Sequence, residues 1–287
     1  MSDAFPVKRP RTALGVAELS RSLGFYVDLP GFALERRDAA GDLAWLDAAG
    51  YPVLLAGPAA GDLAAQLTPD TDVLAPGGTL HALGVDLDEL ARRLGSLGIA
   101  FEMVERSWGD RVLRFTDPDG YRIAFEAPAR WSSEEAMRHY AAGARALEEV
   151  VAGLDASGLD VELEPSGWTA RQVVHHLADT EALTYPALLA ALAEPGREWR
   201  GNPWSPDRRA GSLDYRYRPV APSLALFAAT RASVLELLER LPARWGQATR
   251  SADGTPHPTV VALVGMLAGH ALEHIEQIRS ARRRMER

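Results

Sequence analysis

The chain has 287 residues, a net charge of -8 and no cysteine. Lack of cysteine excludes disulfides, thiolate metal ligands and a protein thiol nucleophile, and the acidic balance argues against nucleic acid, which needs a basic patch or stripe. The length predicts about two domains. No apolar run approaches the roughly 20 residues of a membrane span, and the N-terminus MSDAFPVKRPR lacks the apolar core of a secretion signal. A soluble, cytoplasmic protein is expected.

Residues 11 to 127 read as strands with two short helices. TALGVA (12 to 17) is a strand, and ELSRSLGFYVDL (18 to 29) puts Leu19, Leu23 and Tyr26 on one helical face. Gly31 ends that helix, and FALERRD, DLAWLDA and YPVLLAG follow as three strands. The order then recurs. TLHALGVD is a strand, LDELARRLGSL a helix ending at Gly98, and IAFEMVE, RVLRFTD and YRIAFEA are strands, the last two joined by the tight turn DPDG (117 to 120). This is an internal βαβββ duplication.

From Ser132 the period becomes helical. SSEE (132 to 135) is a capping box opening a helix to about Leu154, and TARQ (169 to 172) opens another to about Ala193. PSLALFAATRASVLELLERL (222 to 241) and TVVALVGMLAGHALEHIEQIRSARRR (259 to 284) complete a set of four, which suggests a bundle. The basic end of the last helix suits the negative end of its dipole. The expected fold is two-domain, α+β plus all-α: paired βαβββ modules over 1–128 and a four-helix bundle over 129–287.

On the last helix Leu263, Leu267, His270, His274 and Ile278 form one stripe, so both imidazoles point into the bundle. Val173, His176, Thr180 and Leu183 form a similar stripe on the second helix, whereas His175 shares a face with Gln172 and Asp179 and belongs outside or beside the site. Two readings stand: hydrogen-bonded core histidines, or three ligands of one metal ion with positions left open for chemistry. Between the second and third helices, residues 194 to 222 are too many for a simple connection. Trp199, Trp204, Tyr215 and Tyr217 there either cover the metal and bind an anionic cosubstrate or fill the bundle's end. His257, between two prolines, lines the site or lies at the surface.

"GWT" with "RQVVHHLADTE" (171 to 181) and the terminal "GHALEHIEQI" resemble the two signatures of the DinB-like superfamily; "GTPHP" (254 to 258) and the span 132 to 287 resemble its bacillithiol-transferase branch. That resemblance implies a four-helix bundle with a divalent metal, zinc or nickel, held by His176, His270 and His274. It also implies, as one activity among several in the superfamily, transfer of a low-molecular-weight thiol brought as cosubstrate.

The doubled modules, with "SLGFYVDLPGF" (22 to 32), "LHALGVDLDEL" (80 to 90) and "DPDGYRIAFEA" (117 to 127), resemble the vicinal-oxygen-chelate superfamily of glyoxalase and bleomycin-resistance proteins. Carried over, that family's metal ligands fall near Arg11 and on Ala124, and only His81 remains. This half therefore resembles the metal-free, bleomycin-resistance type, which implies a small-molecule cleft and a homodimer. Trp45, Phe101, Met103 and Trp108, with His81, line such a cleft or belong to the core. Together the resemblances imply a detoxification or resistance enzyme that joins a thiol of the mycothiol or bacillithiol type to an electrophile. The alternatives are a metal-dependent hydrolase, with Glu181 or Glu273 as base, and a non-catalytic protein that sequesters a drug or metabolite.

Overall fold

The structure, a computed structural model, describes residues 10–286 apart from 39, 62–66, 68–70, 107, 128, 130, 164–166 and 202–204. The chain divides into two compact units, Met1–Ala129 and Arg130–Arg287.

In the first unit β1 (Thr12–Gly15), α1 (Leu19–Val27), β2 (Phe32–Asp38), β3 (Leu43–Ala48) and β4 (Tyr51–Ala56) make one βαβββ module. After β5 (Asp72–Leu74), the strands β6 (Thr79–Leu83), β7 (Phe101–Glu105), β8 (Arg111–Thr116) and β9 (Arg122–Ala127), with α2 (Leu87–Ser96), repeat the order. The described strands form two sheets, β2-β3-β4-β1-β5 and β6-β9-β8-β7, and β1 runs parallel to β4 as β6 does to β9. The sequence pattern does not predict β5. Three residues cannot display a period of two, and only parallel pairing with β1 defines them.

Alternation along each strand sorts the side chains between faces. Leu14, Leu46, Val53 and Leu55 meet Leu19, Leu23 and Tyr26 of α1 in the core, and Leu80, Leu113, Ile123 and Phe125 meet Leu87, Leu90 and Leu94 of α2. One residue out of phase, Ala13, Leu43, Trp45, Leu54 and Ala56 form a separate buried cluster on the other face of the first sheet. By the same register the opposite face of the second sheet carries His81, Glu102, Arg114 and Glu126. The turn at 117 to 120 ties the modules together. Asp117 accepts from the Tyr26 hydroxyl at 2.6 Å and the Tyr121 N–H at 2.8 Å, and Asp119 accepts from Arg21 at 2.6 Å. Gly120 closes that turn at φ +88°, where a side chain would be strained.

The second unit is built on four long helices: α3 (Ser133–Val151), α5 (Ala170–Ala193), α7 (Ala221–Arg240) and α8 (Val260–Met285); α4 (Ala156–Leu159) and α6 (Pro206–Ser212) are short. Both capping boxes form: Ser132 with Glu135 opens α3 and Thr169 with Gln172 opens α5. By length and composition α7 could cross a membrane, with a mean hydropathy of 1.3 over an 18-residue window. That corrects the expectation that no run approaches a span. In the structure α7 packs on α3 and α5 and buries Phe227, Arg231, Val234 and Leu238.

Two apolar clusters fill the bundle. One gathers Leu147, Val173, Leu177, Phe227 and Ile275; the other gathers Tyr140, Leu188, Val234, Val264 and Leu267. Where one gives way to the other, each long helix places a small or polar residue: Gly143 on α3, Glu181 on α5, Arg231 on α7 and His270 on α8. That layer positions the site.

Candidate metal centre

Three imidazoles meet near this layer. The Thr169 cap starts α5 and sets its phase, so that Val173 and Leu177 enter the core and the buried His176 faces α8. On α8 the i,i+4 spacing stacks His270 and His274 one turn apart on the face that also buries Leu267 and Ile278. The candidate ligand atoms of His176, His270 and His274 all lie within 4.8 Å of one another. Ring centroids are 4.9, 5.2 and 4.7 Å apart for the pairs 176–270, 176–274 and 270–274, with the planes nearly perpendicular.

This donor set fits a divalent metal. Two nitrogens each about 2.05 Å from one ion, subtending about 90° to 110°, are about 2.9 to 3.4 Å apart; Nε2 of His176 and Nε2 of His270 are 3.0 Å apart. Ligation also requires neutral imidazole. Burial pushes His176 down to about 3, with the neighbouring His274 adding to the effect. Burial likewise holds His270 well below its ordinary value, helped by His274, His176 and Arg231. As whole residues, His270 and His274 are partly exposed, whereas His176 is buried.

Two groups around the cluster escape a reading for ligands alone. The Trp168 indole meets the His176 ring edge-on at 5.0 Å and donates to Asp207 of α6 at 2.7 Å, which joins the 194–222 crossover to the site. The second is Arg231, 1 % exposed. Its guanidinium donates to Glu181 at 2.7 Å, to the Tyr140 carbonyl at 2.9 Å and to the Leu267 carbonyl at 2.9 Å, between the Tyr140 and Phe227 rings. A Cβ on Gly143 would lie 1.9 Å from its Nη1, so α3 has glycine there. One signal for this network was available: Phe227, Arg231, Val234 and Leu238 follow at spacings of 4, 3 and 4, which places a charge inside an apolar stripe.

The other candidates fare differently. Glu181 does not stand ready as a base: it is 2 % exposed and committed to Arg231 and to the Tyr140 hydroxyl at 2.8 Å. Glu273 accepts from the Gln277 amide at 3.4 Å. His175, expected outside or beside the site, is fully buried, bonded to Ser223 at 2.7 Å and to the Arg218 carbonyl at 3.3 Å; it anchors the crossover and the start of α7. Tyr215 is also core, its hydroxyl on Asp179 and its ring beside His175. Tyr217 is 77 % exposed. Trp199 is half-buried and bonded through its backbone to Arg250, and Trp204 lies outside the described residues. His257 bonds Thr249 at 2.9 Å and is not part of the histidine cluster.

In the first unit the cleft candidates divide between faces. Met103 pairs with Leu113 and packs on the core, and Phe101 pairs with Phe115 on that same face, so neither shares the His81 face. Strand alternation decides this, and the aromatic content of the stretch conceals it. Trp45 lies in the buried cluster of the first sheet with Arg36 stacked over it at 4.6 Å. Trp108 sits between β7 and β8 near Arg106. His81 is 64 % exposed in its side chain and pairs with Glu126 at 3.1 Å.

A helical bundle with three histidines placed so that they could hold a metal ion, following a doubled βαβββ unit, is the arrangement of a two-unit protein of metal-binding type. The chain belongs to the DinB superfamily, whose model matches residues 139–278, and residues 8–125 match the model of the Glyoxalase/Bleomycin resistance protein/Dioxygenase superfamily. A protein of Geobacillus thermodenitrificans named "Putative metal-dependent hydrolase" is 31% identical over 174 residues, 58% of this chain and 96% of the relative. Among solved structures, YfiT from Bacillus subtilis, described as "a probable metal-dependent hydrolase with an unusual four-helix bundle topology", is 25% identical, with 56% of this chain and 91% of YfiT covered and a TM-score of 0.49. TioX from Micromonospora sp. ML1 is 24% identical, with 41% and 96% covered and a TM-score of 0.32.

Proposed function

We propose that the protein is a metal-dependent detoxification or resistance enzyme. It transfers a low-molecular-weight thiol of the mycothiol or bacillithiol type to an electrophilic small molecule, and the N-terminal unit binds that molecule. The observation that carries the metal-dependent part is the convergence of the His176, His270 and His274 rings, with burial holding the first two below the ordinary imidazole range. When bound, a zinc or nickel ion supplies Lewis acidity, which lowers the pKa of a thiol or water that reaches it.

Two arguments favour a thiol. An ordinary thiol has a pKa of about 8.5 and water about 15.7, so the thiol needs far less activation near neutral pH. Water attack also gains from a general base, and Glu181, an inward carboxylate on the helix of His176, is spent on Arg231 and Tyr140. The chain has no cysteine, so the sulfur comes from outside. In the transfer the thiol gives up its proton, its sulfur bonds the electrophilic carbon, and the leaving group departs with the displaced electron pair. The polar face bearing His81, Glu126 and Arg114 offers charged and hydrogen-bonding groups to a small polar molecule.

A second reading, hydrolysis, is favoured by the name of the Geobacillus relative. The two separate in one assay: metal-loaded protein is incubated with an electrophile such as monochlorobimane, with and without thiol. Turnover only with thiol supports transfer; turnover of an ester or amide panel without thiol replaces it with hydrolysis.

A further inference from the structure

His274 is held by a side chain that the metal reading does not account for. Its Nδ1 lies 3.0 Å from Oε1 of Gln277, one turn further along α8, and Nε2 of Gln277 lies 3.4 Å from Oε1 of Glu273. The three residues form a short chain along one helix: carboxylate, amide, imidazole.

The direction of that chain follows from chemistry. An ionised carboxylate only accepts hydrogen bonds, so the Gln277 group facing Glu273 is its NH2. The amide oxygen must then face the imidazole. An amide oxygen is also only an acceptor, so the nitrogen opposite it, Nδ1 of His274, carries the hydrogen. In a neutral ring the lone pair then belongs to Nε2, the atom that His176 and His270 also direct into the cluster.

We infer that Gln277, oriented by Glu273, is a positioning residue that fixes the tautomer and ring angle of His274 and so completes the metal site. The inference rests on the metal reading above and assigns Glu273 a different task from that of a base. It also explains an asymmetry of the site. His176 is steered by the Trp168 edge and the bundle core. His274 is only half-buried, and the Gln277 amide oxygen fixes its ring through Nδ1. A partner of this kind raises the basicity of a ligating imidazole, and its loss typically weakens metal affinity by about 10- to 100-fold.

Two measurements on the full-length protein test this, one without metal. In the metal-free protein, long-range 1H–15N correlation of the imidazoles should report His274 protonated at Nδ1. In Gln277→Leu the tautomers should mix, and in Gln277→Glu, whose carboxylate still accepts, the Nδ1–H form should persist. Zinc affinity, read by competition with a chromophoric chelator, should fall by about 10- to 100-fold in Gln277→Leu and stay within a few-fold of wild type in Gln277→Glu. An Nε2–H tautomer in the wild type overturns the inference. So does a Gln277→Leu protein that is folded by circular dichroism and binds zinc as tightly as wild type. Failure of the wild type itself to bind zinc would defeat the metal reading, while the metal-free tautomer would still decide whether Gln277 orients His274.

Discussion

Arg231 is fully buried and each nitrogen of its guanidinium makes a hydrogen bond. A fully buried guanidinium is costly unless every donor is met, and here Glu181 and the carbonyls of Tyr140 and Leu267 meet it. Removing one partner should cost more than removing both. Arg231→Leu leaves the Glu181 charge uncompensated, and about 3–5 kcal/mol of stability should be lost in urea denaturation. Arg231→Leu with Glu181→Leu should recover most of that loss. Equal costs for the single and double variants would mean that the pair is not coupled. Gly143→Ala should destabilise by about 1–3 kcal/mol through overpacking against the guanidinium. At this scale the histidines were legible in advance, because helical phase alone turns His176, His270 and His274 inward. Their neighbours were not. The sequence offers Glu181 only as a possible base, and an ion pair between positions 50 residues apart leaves no local trace. His175, expected outside or beside the site, and Tyr215, expected either to cover the metal or to fill the bundle's end, are both core, because the crossover folds back onto α5.

Helix starts lie at the next scale. Thr169 is 1 % exposed and caps the helix that carries His176. Thr169→Ala should lower stability by about 1 kcal/mol, seen as a lower urea midpoint with an unchanged slope. At the start of α3, Glu135 accepts from the Ser132 backbone N–H, and that bond, with the Ser132 side chain, lowers its pKa from the ordinary 4.5. With the folded pKa below the unfolded one, the unfolded chain binds more protons in between, so stability rises with pH there. The Glu135 contribution is present above 4.5 and fades as pH falls through the lowered folded value. Glu135→Gln should therefore flatten the acid limb of stability and leave its slope near neutral pH unchanged; an unaltered acid limb would contradict the capping assignment. Both boxes were readable because each is complete within four residues. β5 was not, since its three residues exist as a strand only through pairing with β1. The faces of β7 lay between these cases: alternation was visible, but which phase meets the core depended on the partner strand β8.

On the proposed reading the chemistry divides between the units. The three histidines of the candidate metal site belong to the second unit, and the polar sheet face with His81 belongs to the first. His81→Ala should therefore leave metal content unchanged while weakening capture of the electrophile, seen as a raised KM at constant metal stoichiometry. Loss of metal in that variant would refute the division of labour. The duplication and the bundle were both legible, since each rests on periodicity that runs through whole elements. Reaction type was not, because a site of three imidazoles activates a thiol or a water alike. The proposed function depends on an ion at the three histidines, so the most direct test is elemental analysis of the purified full chain, wild type against His176→Ala. One divalent transition-metal ion is expected per wild-type chain, with loss of that ion in a folded variant. A wild type with no stoichiometric metal, or a variant that retains it, would rule out a three-histidine metal site.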